Sequence, residues 1–268
     1  MQNIKICSLY SGSKGNSAFI EAGGAKILID AGRSAKALCL ALSSIGVTVD
    51  ELDAIFITHE HNDHISALQT LSHKHNIPIH ILLPSAQVFN GLRDEKLCLC
   101  LCLHDKNDFS VQIQGLKIHA FPTPHDSRAS VGYKLTYMDG DEEISIAYAT
   151  DTGYVSESML KNMLGAKYAV IECNHDLDML RDGPYPYELK MRIASRHGHL
   201  SNTDCATLAT HLALAGASHI LLAHLSEENN LPDLALNEVR GAVADDTVII
   251  EVASQTEPVW LVGKEEEN

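Results

Sequence analysis

The stretch Thr58-His59-Glu60-His61-Asn62-Asp63-His64 decides the reading of this 268-residue chain. It follows directly on the apolar run Ala54-Ile55-Phe56-Ile57, which reads as a buried strand. In an extended segment, side chains two residues apart point the same way, so His59 and His61 can grip one metal ion together. Asp63 and His64 fall where the chain turns into a helix, and there their side chains can diverge toward a second, adjacent ion. Imidazole nitrogen together with carboxylate oxygen suits zinc, iron or manganese. A polar loop that is rich in histidine by chance is the plain alternative. Four potential ligands in six residues, directly after a strand, weigh against it.

Six residues supply only part of two coordination shells, so ligands must also come from far away in sequence. Three candidates stand at the ends of apolar, strand-like runs. His125 in Thr123-Pro124-His125-Asp126 sits between a proline and a carboxylate that could orient it. Asp151 in Ala149-Thr150-Asp151-Thr152-Gly153 has two oxygens, enough to bridge both ions. His224 in Leu221-Leu222-Ala223-His224-Leu225-Ser226 ends a further strand. Taken alone, each reads equally well as a capping or core residue. Beside the histidine cluster, a metal role is the better reading of all three.

Working outward, strands are expected near 4–9, 16–21 and 25–30, then a helix near 34–45 that stops at Gly46, and a helix from 63 to 75 that stops before Pro78. The middle reads as strands at 97–103, 109–113, 116–121, 131–138 and 143–149. Helices near 156–164, 184–194, 203–215 and 232–243 then alternate with strands at 168–172, 218–223 and 247–251. Mixed strands and helices without a repeat or linker imply sheets covered by helices in one domain over 1–263, followed by an acidic tail at 264–268.

Seven cysteines without a C-x-x-C pair indicate neither a disulfide framework nor a zinc ribbon. Cys98, Cys100 and Cys102 alternate with leucines and are expected on one face of a strand. No run reaches the roughly 18 apolar residues of a membrane span. The N-terminus lacks the long apolar segment of a signal peptide, so no membrane association and a cytoplasmic location are expected. The net charge of −15 opposes diffuse attraction to nucleic acid, so a polyanionic substrate would have to be held by local charge.

The whole pattern, His-x-His-x-Asp-His followed by isolated His, Asp and His at strand ends, resembles the metallo-β-lactamase superfamily over nearly the whole chain. That resemblance implies an αββα sandwich with a dimetal site at one edge. It places His59, His61 and His125 on one ion, Asp63, His64 and His224 on the other, and Asp151 between them. Four further stretches, Leu9 to Ser17, Ala149 to Tyr154, Ile171 to Asp176 and Gly198 to Asn202, together with Gly183-Pro184-Tyr185-Pro186, are similar to the YycJ/WalJ branch. Members of that branch are linked to 5′-to-3′ DNA exonuclease activity. Cys173 departs from the alanine or serine expected there, without consequence for the chemistry.

By similarity to the related tRNase Z group, His199 is the candidate general acid and Glu172 its orienter. With Asp63 they form the candidate catalytic set. Gly198-His199-Leu200-Ser201-Asn202 also reads as the start of a helix capped by Ser201 or Asn202, and both readings can hold together. Arg192 and Arg196 share a helix face and could hold phosphates, or could line a solvated side. The loop from Ser11 to Ser17 reads first as a turn, and its backbone could also cradle an anion, which makes Ser13 and Asn16 candidates for substrate contact. His175 is a further candidate. His73, His75, His80, His104, His119, His211 and His219 are taken as bystanders.

The function expected is phosphodiester hydrolysis by two divalent ions, zinc first with manganese or iron as alternatives. A shared hydroxide would attack phosphorus in line at a DNA or RNA end. DNA is the favoured nucleic-acid partner, held at low affinity through a few phosphate contacts. The alternative is a small-molecule hydrolase of the same fold, acting on a lactone, thioester or cyclic phosphodiester.

Overall fold

A computed structural model describes residues 4–88 and 92–263. In chain order the strands are β1 (Lys5–Tyr10), β2 (Ser17–Ala22), β3 (Ala25–Ile29), β4 (Ala54–Phe56), β5 (Ile79–Leu82), β6 (Leu101–His104) and β7 (Ser110–Ile113). They continue with β8 (Leu116–Pro122), β9 (Val131–Asp139), β10 (Glu142–Ala149), β11 (Tyr168–Glu172), β12 (His219–Ala223), β13 (Ile249–Val252) and β14 (Val259–Val262). They form two seven-stranded sheets, ordered β14-β1-β2-β3-β4-β5-β6 and β13-β12-β11-β10-β9-β8-β7. Each sheet is antiparallel on one side and parallel on the other. Pairings β3–β4, β4–β5 and β5–β6 are parallel in the first sheet, and β10–β11, β11–β12 and β12–β13 in the second.

Strand alternation explains how three apolar layers arise from this order. In β4, Ala54 and Phe56 face the opposite sheet, whereas Ile55 faces outward. In β11, Tyr168 and Val170 point inward while Ala169 and Ile171 point outward. The inward sets of both sheets make the central layer. The outer face of the first sheet is covered by α1 (Ala35–Ser44) and α3 (Leu68–His75). That of the second is covered by α6 (Glu157–Met163), α9 (Asn202–Leu214) and α10 (Pro232–Ala242). The expected αββα sandwich is therefore the fold.

Several local expectations need correction. The helix expected over 63–75 is two: α2 (Asn62–Ile65) and α3. The Ala67 N–H is drawn off to the Ala31 carbonyl, which interrupts the helical ladder. The strand expected over 97–103 begins as a helix, α5 (Glu95–Cys100), whose N-cap is Asp94, with its side chain accepting from the Leu97 N–H. Cys98, Cys100 and Cys102 consequently do not share a face: Cys98 is exposed and Cys100 is buried. Not foreseen at all were β5, β14, α4 (Leu83–Val88) and α7 (Leu177–Asp182). The helix expected over 184–194 is α8 (Tyr187–Ile193). The tail at 264–268 lies outside the described residues. No described helix is long and apolar enough to cross a membrane.

Candidate metal centre and active site

Parallel strands in both sheets end at one edge of the sandwich, and the candidate residues gather in the loops beyond them. This is where open α/β sheets generally present ligands, outside the carboxyl ends of strands. β3 leads to Asp30, β4 to Thr58 through His64, β8 to His125, β10 to Asp151, β11 ends in Glu172, and β12 leads to His224. Asp30, Asp151 and His224 adopt left-handed backbone angles, with φ of 63°, 54° and 58°. Such conformations cost energy in non-glycine residues and concentrate at functional sites.

All seven candidate ligands converge. His59 Nε2 lies 3.0 Å from His61 Nδ1, and His125 Nε2 lies 3.3 Å from the same atom. His64 Nε2 is 3.5 Å from Asp63 Oδ2 and 3.4 Å from Asp151 Oδ2. His224 Nε2 is 3.8 Å from Asp63 Oδ2 and 3.5 Å from Asp151 Oδ1. Asp151 also approaches His125 Nε2 at 3.9 Å, so its carboxylate stands between the two groups.

These donors fit divalent metal ions. Ligand atoms around a tetrahedral ion with bonds of 2.0–2.1 Å are about 3.3–3.4 Å apart, close to the spacings observed. Asp151 Oδ2 and His224 Nε2 are buried without a hydrogen-bond partner, as donors to a metal ion would be. The four histidines that offer Nε2 have their other nitrogen engaged. His59 Nδ1 meets Thr58 Oγ1 at 3.0 Å, His64 Nδ1 meets Asp30 Oδ2 at 2.8 Å, His125 Nδ1 meets the Gly198 carbonyl at 3.1 Å, and His224 Nδ1 meets Glu172 Oε1 at 2.9 Å. Each contact fixes a tautomer and turns the free nitrogen inward.

The electrostatics divide the cluster. Burial, reinforced by neighbouring imidazoles, holds His59 well below its ordinary pKa, and burial lowers His125 too, so both offer lone pairs. Burial also opposes charge on His64, but Asp30 and Asp151 outweigh it and push it up. His224 is likewise desolvated, yet Asp151, Asp63 and Glu172 raise it to about 10. Asp63, despite its own desolvation, is held low by the nearby rings of His224 and His64. Protons on His64 and His224 thus meet a demand for positive charge that divalent ions would meet instead.

Beside the donors stands a second arrangement. The fully buried Glu172 accepts from His199 Nδ1 at 2.7 Å as well as from His224, both through Oε1. Its Oε2 accepts from the backbone N–H of Thr152 at 2.8 Å and of Leu200 at 3.2 Å. One carboxylate therefore orients a candidate ligand and the candidate general acid together. His199 also begins the turn into α9, where Ser201 is the cap, accepting from the Asp204 N–H, so the catalytic and capping readings coexist.

Other candidates are placed differently from expectation. Asn16 is 1% exposed and closed to substrate. Its amide nitrogen donates to the Gly12 carbonyl and to Asp63 Oδ2 and lies 3.0 Å from His64 Nε2, so it braces the site. Ser11 Oγ similarly accepts from the His224 N–H at 2.7 Å, which makes this loop a support more than an anion cradle. His175 is buried, at 2% exposed. Asp126 Oδ1 approaches His125 through Nε2, at 3.4 Å, while its Oδ2 pairs with Arg192 Nε at 2.5 Å. Arg196 stacks its guanidinium 4.1 Å over the Tyr154 ring. Ser13 and Arg192 do line the cavity beside His199 and His224.

Sequence reasoning missed Asp30. It is wholly buried, and it accepts from the Thr58 N–H and Oγ1 as well as from His64. A lone aspartate after Ile27-Leu28-Ile29 carries no signal beyond its place at a strand end.

Fold and donor set together define a metallo-β-lactamase-type centre for divalent ions. Residues 25–225 match the β-lactamase superfamily domain, and the chain belongs to that superfamily. Within it, the chain is 36% identical over 236 residues to the exodeoxyribonuclease WalJ of Streptococcus pneumoniae, covering 87% of this chain and 85% of that protein. It is 34% identical over 231 residues to the exodeoxyribonuclease YycJ of Bacillus anthracis, covering 85% and 84%. Among solved structures, the metallo-β-lactamase fold protein YhfI of Bacillus subtilis superposes with a TM-score of 0.73 at 19% identity, covering 96% of this chain and 98% of that one.

Proposed function

We propose that this chain is a 5′-to-3′ exodeoxyribonuclease, one domain over 1–263, that holds two divalent ions, zinc first. His59, His61 and His125 would hold one ion, Asp63, His64 and His224 the other, and Asp151 both. What carries the reading is the hydrogen-bonded pair of His199 and Glu172, 2.7 Å apart, set beside the donor cluster in a chain so similar to two named exodeoxyribonucleases. When bound, the ions supply Lewis-acid stabilisation of charge on the phosphate and ease ionisation of the attacking water.

The protein's own residues do the rest. Glu172 stays ionised, because the charge and hydrogen bonds of His199 and His224 outweigh its burial. It fixes His199 Nδ1 and leaves Nε2 free to give a proton to the leaving oxygen. Hydrolysis breaks the bond from phosphorus to that oxygen and forms one to the oxygen of water. The proton that water loses balances the one His199 gives. The chain's net charge of −15 leaves little positive charge here, since Arg192, on the rim, is paired with Asp126.

That same negative charge favours a second reading, hydrolysis of a small ester or cyclic phosphodiester. Purified protein supplied with Zn²⁺ or Mn²⁺ should be tested on 5′- and 3′-labelled DNA and RNA beside Asp63→Ala and His199→Ala. Progressive release of nucleotides from 5′ DNA ends, lost in both variants, is expected. Turnover of a small phosphodiester or lactone with no cleavage of any polymer would replace this reading by the second.

A further inference from the structure

None of the residues of α8 is buried, although the helix stands beside the catalytic cluster. Leu189 and Ile193 lie four apart on one helical face, and with Tyr185 just ahead of the helix they line a cavity of about 170 Å³. A helix normally turns such a face into a core. The wall also includes polar groups, Ser13, Asn174 and Ser226, and His199 and His224 border the same cavity.

We infer that this cavity receives the unpaired base of the terminal nucleotide, on the leaving-group side of the scissile phosphate. The inference rests on the nuclease reading and names what that site grips. An aromatic and aliphatic surface together with hydroxyl and amide groups matches a flat base with polar edges. The volume falls below the roughly 300–1,000 Å³ of pockets for drug-sized ligands, which limits the occupant to one such unit. His199 borders the cavity, so its occupant is the fragment that carries the oxygen receiving the proton. A one-nucleotide cavity there means release of one nucleotide per cut.

Charge does little of the gripping. Arg192 is already paired with Asp126, and the chain as a whole repels polyanions. Stacking must supply the difference, and a terminal base that is still paired offers only its outer face and keeps its polar edge on its partner strand. Unpaired or frayed ends are therefore the form bound.

The test is calorimetric titration of the metal-loaded protein with dAMP and, separately, with 2-deoxyribose 5-phosphate, which shares the phosphate and sugar but lacks the base. The wild type should bind dAMP about tenfold more tightly or better. Tyr185→Ala and Leu189→Ala should each erase most of that preference without altering the Kd for the sugar phosphate. Tyr187→Ala, at a neighbouring position 75% exposed, should leave it intact. Equal affinities for the two probes in the wild type, or a preference untouched by both pocket variants, would overturn the inference and leave exonuclease activity unaffected. A preference that depends on Tyr185 in a protein that cleaves no polymer would support the base pocket while removing the nuclease reading.

Discussion

Replacing Asp30 by asparagine changes one atom of a group that lies behind the proposed metal donors, yet it should weaken metal binding in half of the proposed centre. Asp30 Oδ1 accepts from the Thr58 N–H at 2.8 Å, and Oδ2 accepts from His64 Nδ1 at 2.8 Å. In the amide, the remaining oxygen can keep the Thr58 bond only if the new NH₂ faces His64. That donor turns His64 Nδ1 into an acceptor and moves the ring proton to Nε2, the nitrogen that faces Asp63 and Asp151. Losing a partner of this kind typically costs about 10–100-fold in metal affinity, or roughly 1.4–2.8 kcal/mol. The loss should be confined to one ion, because His59, His61 and His125 do not bond to Asp30 directly. Competition titration of metal-stripped protein with zinc against a chromophoric chelator resolves the two steps. One step should weaken 10–100-fold while the other shifts by less than about threefold. Two unchanged steps, in a variant whose circular dichroism matches the wild type, would refute the tautomer argument.

Three further outcomes follow from named contacts. His199→Ala should lower kcat by about 10²–10⁴ with metal content unchanged, whereas Glu172→Gln should lower both, since Glu172 serves His199 and His224 alike; steady-state kinetics beside metal analysis separates them. Gly32→Ala should destabilise by about 1–3 kcal/mol in denaturant unfolding, because a Cβ there would collide with the Asp63 carbonyl and come 2.5 Å from the Asn16 nitrogen. His80, stacked 4.5 Å from Phe56, is depressed to about 4 by burial and by His104. The unfolded chain therefore takes up a proton at His80 between pH 6.5 and 4 that the folded one refuses, so stability present above 6.5 is lost as pH falls. His80→Phe should lose about 2–3 kcal/mol less than the wild type between pH 7.5 and pH 4.5 in urea unfolding.

The parts of the centre legible in sequence are those that carry their own context. His59, His61, Asp63 and His64 are neighbours in the chain, and His125, Asp151 and His224 each follow the end of an apolar run. Glu172 and His199 became legible only through their surrounding motifs. Asp30 and Ser11 act through hydrogen bonds to residues 34 and 213 positions away, and no local pattern marks them. The same limit explains the misreading at Leu97 to Leu103. Alternating leucine and cysteine fits a strand, but Leu97 and Cys100 also fit a helix at i, i+3, and the deciding cap is Asp94. Asn16 is a candidate in the sequence because its loop could cradle an anion, whereas tertiary packing turns its amide toward Asp63 and His64. Nothing local marks Tyr185, Leu189 and Ile193 as the lining of one cavity, because only the fold brings them there together.

The most direct measurement is the exonuclease rate of metal-stripped protein on 5′-labelled single-stranded DNA as zinc or manganese is added in known equivalents. Two ions held as proposed, and filled one after the other, predict little activity up to one equivalent and full activity at two. Full activity at one equivalent, or a rate that ignores the metal altogether, would contradict the two-ion centre.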